Sequence, residues 1–203
     1  MIPLMKPLRG TALRRFLKGL ERPALDLALV LQDVQDPGNV GSAFRIADAL
    51  DVTSLVLTGI SVRPPHRRID RVGRSKDRRV KWTYVEDSVA ALRALRAEGY
   101  FLCAVELTGR AVPYFSRAYP AKTCLVVGHE RHGVTKKVLR VTDAQVYIPM
   151  YGMGASLNVS VALAVVSFHV LHGASTSGGS SGGEKEAFKL FEPNNPLQQT
   201  GGA

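Results

Sequence analysis

The sequence is poor in the residues that define several specialised classes of protein. Its 203 residues include only two cysteines and one tryptophan. Cys103 and Cys124 each lie in an apolar run typical of a buried strand, so we interpret them as small core residues rather than as a disulfide or a metal pair. No group of His and Cys has the spacing of metal ligands, so we expect no metal. Nothing in this composition requires an oxidising compartment.

Long apolar runs are also missing. The longest one, from 159 to 171, is shorter than the roughly 20 residues that a bilayer-spanning helix needs, and it contains Ser160, Ser167 and His169. The basic residues at the start of the chain are not followed by the apolar core of a signal peptide. These features predict a cytoplasmic protein without a membrane partner.

Acidic residues are few relative to basic ones, and composition divides the chain into three parts. The 17 acidic residues against 27 lysines and arginines leave a net charge of +10, which favours a polyanionic partner. Residues 1–23 form a short basic extension, and residues 24–173 are long enough for one domain with a core. Residues 174–203 begin with ASTSGGSSGG, so we expect a flexible, disordered tail.

Apolar runs typical of buried strands alternate with helical patterns between residues 24 and 173. Strands are predicted at 26–32, 54–58, 80–85, 100–105, 122–127 and 145–148, and helices at 40–50, 88–98 and 157–171. This alternation predicts an α/β fold with a parallel sheet covered by helices on both faces. Ligands of such folds bind beyond the carboxyl ends of the strands, so the loops that follow strands are the candidates for a site.

The first candidate loop is DPGNVGSAFR, at residues 36–45. Pro37 and Gly38 favour a tight turn, and Asn39 is expected to cap the helix that carries Arg45. The alternative is a capping asparagine followed by an arginine that simply reaches the surface.

The second candidate loop is GHERHG, at residues 128–133. Glycines on both sides of Glu130 suggest a backbone that approaches a ligand closely. The alternative is a strand-to-helix turn in which the helix dipole favours Glu130. We interpret His129 and His132 as exposed loop residues.

The third candidate loop is IPMYGMGASLNVS, at residues 148–160. Ser156 and Asn158 stand at the mouth of the most apolar helix, where polar side chains need partners. The alternative is simple capping by Ser156, with Asn158 bonded locally.

The order and spacing of these loops resemble the three motifs of the SpoU/TrmH branch of the SPOUT RNA methyltransferases, over about residues 24–173. The first motif is an Asn, five residues and an Arg, as from Asn39 to Arg45. The second is Gly-x-Glu-x-x-Gly, as in 128–133, and the third is an Ile-Pro-Met run leading to Ser-Leu-Asn-Val-Ser, as in 148–160.

The resemblance implies a parallel α/β sheet whose C-terminal part forms a deep trefoil knot, although knots are rare in proteins. It also implies a homodimer, with the apolar helix at 157–171 as a plausible dimer face, and S-adenosyl-L-methionine as the cofactor. By motif position, the residues that would bind the cofactor are Val105, Glu106, Gly128, Ile148, Met150, Ser156 and Leu157.

The activity implied by the resemblance is methylation of a ribose 2′-hydroxyl in tRNA, with ribosomal RNA as the alternative. The catalytic residues would be Arg45, Asn39, Glu130, Ser156 and Asn158. Arg45 would contact the target ribose or phosphate and stabilise negative charge growing on the oxygen. Asn39 would orient Arg45 and Glu130 would brace the site. Ser156 and Asn158 would position the substrate phosphate or the loop.

A basic stretch between two predicted strands favours an RNA substrate. It contains Arg63, Arg67, Arg68, Arg71, Arg74, Arg78 and Arg79. Such a density of charge in a loop repels itself unless phosphates or solvent are near, so we predict an RNA contact; a solvated basic loop is the alternative. Two other functions stay open, a non-catalytic RNA-binding protein with the same fold and the base methylation of other SPOUT branches.

Overall fold

The computed structural model describes residues 7–20, 24–154 and 156–176, with no side chains at 174–176. The tail predicted to be flexible therefore lies almost wholly outside the described residues, as does the start of the basic extension. Residues 10–18 of that extension form an exposed helix, and the last helix continues to Thr176, three residues beyond the predicted domain end at Gly173.

Seven strands and six α-helices are assigned within the described ranges. The strands are β1 Asp26–Gln32, β2 Ser54–Thr58, β3 Trp82–Val85, β4 Phe101–Val105, β5 Val112–Pro113, β6 Lys122–Val127 and β7 Ala144–Tyr147. The helices are α1 Gly10–Lys18, α2 Pro37–Leu50, α3 Arg67–Gly73, α4 Ser88–Ala97, α5 Lys136–Val141 and α6 Val159–Thr176.

The strands form one sheet in the order β3-β2-β1-β6-β4-β7-β5, and every pairing is parallel. Side chains alternate across the central strand β1. Leu29 faces the layer of α2, α3 and α6, whereas Ala28 and Val30 face the layer of α4 and α5. The prediction of a parallel sheet with helices on both faces is confirmed.

Strand and helix positions match the predictions most closely where the apolar run is longest. β1, β2 and β6 have the predicted bounds, and the other strands shift by one or two residues. β3 begins at Trp82 rather than at 80, because the Val80 amide donates to the Lys76 carbonyl (2.9 Å) and so closes a turn. The patterns did not predict α1, α3, α5 or the two-residue β5.

The basic stretch is not the loop that was predicted. It contains α3 and a 3₁₀ turn at Lys76–Arg78. α3 packs closely on α2, since a side chain at Gly41 would meet Val72 and the backbone of α3. Ile69, which is 1% exposed, anchors the helix in the core. A helix with so few apolar residues has no clear periodicity, so its sequence did not reveal it.

The parallel pairing brings the carboxyl ends of all strands to one edge of the sheet, and so brings together the loops that follow β1, β4, β6 and β7. β7 lies between β4 and β5, two strands that are consecutive along the chain. No helix in the described part of the chain has the length and apolarity needed to span a bilayer.

Candidate active site

The loops after β4, β6 and β7 surround a cavity of about 480 Å³ at the carboxyl edge of the sheet. Its volume is in the range of small-molecule sites. Its walls combine backbone, apolar side chains and a few charged groups. They are formed by Val105, Glu106, Leu107, Val127, Gly128, His129, Glu130, Arg131, His132, Gly133, Tyr147, Ile148, Met150, Gly154, Ser156, Leu157, Val159 and Ala162.

The structure brings all seven predicted cofactor residues to this cavity. Four of them form apolar wall, namely Val105, Ile148, Met150 and Leu157. The other three lining residues are Glu106, Gly128 and Ser156. These residues come from the ends of three different strands. Their shared location agrees with the site implied by the motifs, while their role in binding stays a prediction.

The turn after β6 is built around two glycines. The His129 amide donates to the Gly133 carbonyl (3.1 Å), and the Gly133 amide donates to the His129 carbonyl (2.8 Å). A side chain at Gly128 would overlap the backbone of Gly133 and Val134. Gly133 adopts a φ of 62°, in the left-handed region that favours glycine. These glycines therefore allow two parts of the turn to approach each other closely, while a close approach of this backbone to a ligand stays a prediction.

Glu106 and Gln32 hold the loop after β6 from two sides. The Glu106 carboxylate accepts from the amides of Leu107 (3.0 Å) and Val134 (2.8 Å). Buried Gln32, at the end of β1, accepts from the Thr135 amide (2.9 Å). Gln32 was missed from the sequence, although a polar residue that ends an apolar strand is itself a signal, because such a group needs a partner when buried.

Glu130 joins the loop after β6 to the start of α2. Its carboxylate accepts from the amides of Gln35 (3.2 Å) and Asp36 (2.9 Å) and from the Asn39 side chain (3.0 Å). The helix-dipole alternative for Glu130 is wrong in detail, since α5 begins only at Lys136. The predicted bracing role agrees with these contacts.

Asn39 and Asn158 extend this network to the third motif. The Asn158 amide group donates to the Asn39 side-chain oxygen (2.9 Å). The Asn158 oxygen accepts from the Ser160 amide (2.9 Å) and the Val161 amide (3.3 Å), so Asn158 rather than Ser156 caps α6. Three motifs that are far apart in the chain thus form one hydrogen-bonded network.

The predicted capping role of Asn39 is wrong. Asp36 is the N-cap of α2, and its carboxylate accepts from the Gly38 amide (2.5 Å). α2 begins at Pro37, a residue that suits the first helical position because it has no amide to donate. Asn39 lies inside the first turn, which leaves its side chain free to bind Glu130 and Asn158.

The ionisation of Glu130 is coupled to this network. Burial acts to raise its pKa, but the hydrogen bonds from the Asn39 side chain and the backbone amides of Asp36 and Gln35 outweigh it, so the pKa lies below the ordinary carboxyl value. The charged form is therefore the one that folding favours. This contribution to stability is complete above the ordinary carboxyl pKa and is lost as the pH falls through the lowered value.

We expect Glu130→Gln to destabilise the protein by about 1–2 kcal/mol at neutral pH, because charge-assisted hydrogen bonds are lost. The difference from wild type, measured by denaturant unfolding, should shrink as the pH is lowered through the carboxyl range. Glu86→Gln, at an exposed carboxylate with no partner in the described part of the chain, serves as the control. A Glu130→Gln deficit that is the same at low and neutral pH would contradict this account.

Of the five predicted catalytic residues, only Glu130 and Ser156 line the cavity. Asn39 and Asn158 are joined to it through Glu130, whereas Arg45 has no such link among the described residues. It is exposed on α2, and among the described residues it makes no hydrogen bond or ion pair and does not line the cavity. Its helix nevertheless carries Asn39 and packs on α6. No hydrogen bond joins the side chains of Asn39 and Arg45, so the idea that Asn39 orients Arg45 stays a prediction.

The turn after β6 adds three cavity residues that sequence reasoning did not assign to the site. His129, Arg131 and His132 all line the cavity, and the two imidazole rings lie 4.7 Å apart. The His129 side chain is only 15% exposed, so its interpretation as an exposed residue is wrong; His132 is exposed as predicted. The His129 ring accepts a hydrogen bond from the Arg131 amide (2.9 Å).

The seven arginines predicted to bind RNA are all exposed. Arg68 pairs with Asp36 (3.5 Å), Arg78 lies near Asp70 (3.9 Å), and Arg63 stacks on the Tyr84 ring (4.0 Å). The remaining four, Arg67, Arg71, Arg74 and Arg79, form no ion pair with any described residue. Exposed pairs of this kind contribute little to stability, so the positive charge of this surface is largely uncompensated.

Comparison with known proteins identifies related sequences and structures. The family described as the SpoU rRNA methylase family matches residues 26–168. A tRNA (guanosine(18)-2′-O)-methyltransferase of Escherichia coli K12 is 30% identical over 161 residues, which are 78% of this chain and 68% of that protein.

Two solved structures resemble most of this chain. The A. aeolicus TrmH/SpoU tRNA modifying enzyme matches with a TM-score of 0.70 and 26% identity, over 88% of this chain and 93% of that one. An rRNA methyltransferase from Sinorhizobium meliloti with bound AdoMet matches with a TM-score of 0.67 and 25% identity, over 71% of this chain and 55% of that one. The chain thus spans little more than half of the Sinorhizobium enzyme.

Proposed function

The chain belongs to the SpoU rRNA methylase family, and from this membership we propose that it is an S-adenosylmethionine-dependent RNA methyltransferase that methylates a ribose 2′-hydroxyl of tRNA. The observation that carries the proposal is the network from Asn158 through Asn39 to Glu130. It joins the three family motifs beside one cavity of suitable size. We propose a cytoplasmic location, which agrees with a tRNA substrate.

The cavity residues fit S-adenosylmethionine by their chemistry. When bound, this cofactor supplies an electrophilic methyl group on sulfur. The adenine ring suits the apolar part of the wall, which comes from Val105, Ile148, Met150 and Leu157. Glu106 is an acidic residue of the same wall, which suits the positive charge of the cofactor. Gly128 and Gly133 add wall without side chains, beside the side chains that the rest of the same turn contributes. The bound AdoMet of the Sinorhizobium enzyme supports the same cofactor here.

Arg45 acts on the acceptor. A ribose hydroxyl is a poor nucleophile while it keeps its proton, so the site must stabilise negative charge on its oxygen during transfer. Arginine is a cation with five N–H donors, and no described residue is a hydrogen-bond or ion-pair partner of the Arg45 side chain. Asn39, Glu130 and Asn158 hold the loops in place, and Ser156 at the rim contacts the substrate phosphate.

The active unit is a homodimer in which Arg45 reaches the cavity of the partner. Arg45 does not line the cavity of its own chain. α6 is apolar on every side and leaves Val161 and Phe168 47% and 41% exposed, with Leu157 before it 43% exposed. A helix that is hydrophobic all round favours burial on both sides. A second copy would cover this face and carry its own Arg45 toward the first cavity.

The C-terminal part of the chain forms the trefoil knot. β7 lies between β4 and β5, and the loop 106–111 joins those two strands at the level of Val146. The chain that leaves β7 must therefore pass this loop before it reaches α6. α6 packs on α2 and on β4 and β6, which are the first and second strands from β7 in the sheet. If the chain that leaves β7 passes through the loop 106–111, it forms the knot that we propose.

Substrate RNA binds the exposed arginines of α3 and its neighbouring turn. Four of them have no ion-pair partner among the described residues, so phosphates can neutralise them with little loss of existing contacts. Ribosomal RNA is the second candidate substrate, because the Sinorhizobium structure is that of an rRNA methyltransferase.

The test is incubation of the protein with methyl-labelled S-adenosylmethionine and, separately, tRNA and rRNA. We expect label in tRNA at one nucleotide, with the phosphodiester bond on its 3′ side resistant to alkali, since a 2′-O-methyl group removes the attacking hydroxyl. Label only in rRNA would favour the second candidate. Label on a base would overturn ribose methylation, and no label in any RNA would overturn the proposal.

A further inference from the structure

A second positive surface adjoins the cavity on the opposite side of the sheet from the arginines of α3. It consists of Arg131, Lys136, Lys137 and Arg140, all of them exposed, and is called the α5 surface below. Resting on the proposed function, we propose that the α5 surface binds backbone phosphates of the substrate RNA next to the target nucleotide.

The α5 surface is continuous with the active site. Arg131 lines the cavity itself, and the turn that carries it leads directly into α5. The Thr135 amide, just before the helix, donates to buried Gln32 (2.9 Å). At the other end of α5, Arg96 donates to the Val141 carbonyl (2.8 Å). Both ends of the helix are therefore held, and its cations have a defined position beside the cavity.

The fold does not need these cations. α5 is held to the protein by Val138, which is 1% exposed and packs in the cluster with Ala91, Leu92 and Leu95 of α4. Lys136 and Arg140 lie one turn apart, so their like charges repel each other weakly. Exposed cations that repel each other and that the packing of α5 does not use suggest a ligand.

Nearby carboxylates do not neutralise the α5 surface. Glu130 is bound by the start of α2, and Glu106 by the amides of Leu107 and Val134. Asp143, beyond the end of α5, pairs with Arg96. Across the residues that the structure describes, the four cations of the surface form no ion pair.

The position of the surface favours RNA over an acidic protein. The target nucleotide must enter the cavity, and the strand on either side of it must leave along the cavity rim. The arginines of α3 lie on the layer of α2 and α6, whereas α5 lies on the layer of α4. Cations on both layers allow phosphates on both sides of the target to be held, and such contacts position a nucleic acid without reading its sequence.

The test neutralises three of the cations together, as Lys136→Gln, Lys137→Gln and Arg140→Gln in the full chain. Glutamine has nearly the helix propensity of lysine and arginine, so α5 should persist. Binding of unfractionated tRNA is measured between about 50 and 200 mM salt, with S-adenosylmethionine affinity and kcat measured in parallel. Lys122→Gln is the control for the loss of one positive charge away from the cavity, since Lys122 begins β6 at the opposite edge of the sheet. Its ion pair with Asp26 (3.7 Å) is partly exposed and contributes little to stability.

We expect the triple variant to bind tRNA about tenfold more weakly, with the slope of log K against log salt reduced by about two to three. Its affinity for S-adenosylmethionine and its kcat at saturating RNA should stay within about twofold of wild type, and Lys122→Gln should behave as wild type.

An unchanged slope and Kd, as expected if the surface serves an acidic protein, would overturn the inference, and so would an equal loss in Lys122→Gln. Loss of S-adenosylmethionine affinity would also overturn it, because the effect would then act through the cavity. A wild-type protein that binds tRNA but methylates no RNA would overturn the proposed function alone, since the salt slopes would still decide the role of the α5 surface.

Discussion

Arg45→Ala should lower kcat about 10²–10³-fold, the loss expected when one preorganised group that stabilises charge in the transition state is removed. The affinity for S-adenosylmethionine should change by less than about twofold, because the side chain does not line the cavity of its own chain. Fold stability should also be unaffected, since Arg45 is exposed and unpaired among the described residues. Single-turnover methyl transfer and calorimetric cofactor binding measure the two effects separately.

Two further variants define the role of the guanidinium group. Arg45→Lys keeps the charge but loses the planar fork of donors, so it should recover only part of the activity. Arg93→Ala removes an exposed arginine from α4, on the other layer of the sheet, and should leave kcat unchanged. If Arg45→Ala turned over at the wild-type rate, Arg45 would have no part in the mechanism.

The same variant tests whether Arg45 acts on the partner. Val105→Trp is designed to fill the cavity from the end of β4 and should bind no S-adenosylmethionine. Each single variant is inactive as a homodimer, but a mixed dimer joins an intact cavity to an intact Arg45 only if the residue crosses the interface. Recovered activity on co-expression would establish this arrangement. Two inactive parents that stay inactive together, although mixed dimers form, would place Arg45 in its own chain's site.

The sequence predicted the central strands well because their signal is local. β1, β2 and β6 are apolar along nearly their whole length, as expected for strands buried on both faces. α3 has no such signal: Ile69 is its one buried apolar residue, and its position depends on the close contact of Gly41 with Gly73. That contact joins two helices and cannot be inferred from the pattern of either one.

The site residues were identified by motif, but their contacts were not. A sequence shows that Asp36 and Asn39 stand near the start of a helix, and a shift of three residues decides which of them caps it. The partner of Asn39 is Glu130, which lies 91 positions away in the sequence. A contact over that separation cannot be predicted from local sequence patterns. The same holds for the capping of α6 by Asn158 rather than Ser156, since Asn158 also bonds to Asn39.

Gly128→Ala should destabilise the protein by about 3 kcal/mol or more, the upper range for overpacking at a site that cannot relax. The added methyl group would overlap the backbone of Gly133 and Val134, which cannot move aside as a flexible side chain can. Those residues are held in turn by the His129 carbonyl and the Glu106 carboxylate. For a domain of this size the melting temperature should fall by roughly 10 °C.

The loss should extend from stability to the cavity, because the turn at 128–133 forms one of its walls. We therefore expect Gly128→Ala to lose S-adenosylmethionine binding even at temperatures where it remains folded. Gly152→Ala is the matched control: it adds the same methyl group in the loop after β7, where nothing lies within 4 Å. If Gly128→Ala kept the wild-type melting temperature and cofactor affinity, the turn would have to open at little cost in free energy. The cavity could not then be the rigid site that aligns the methyl donor with the hydroxyl.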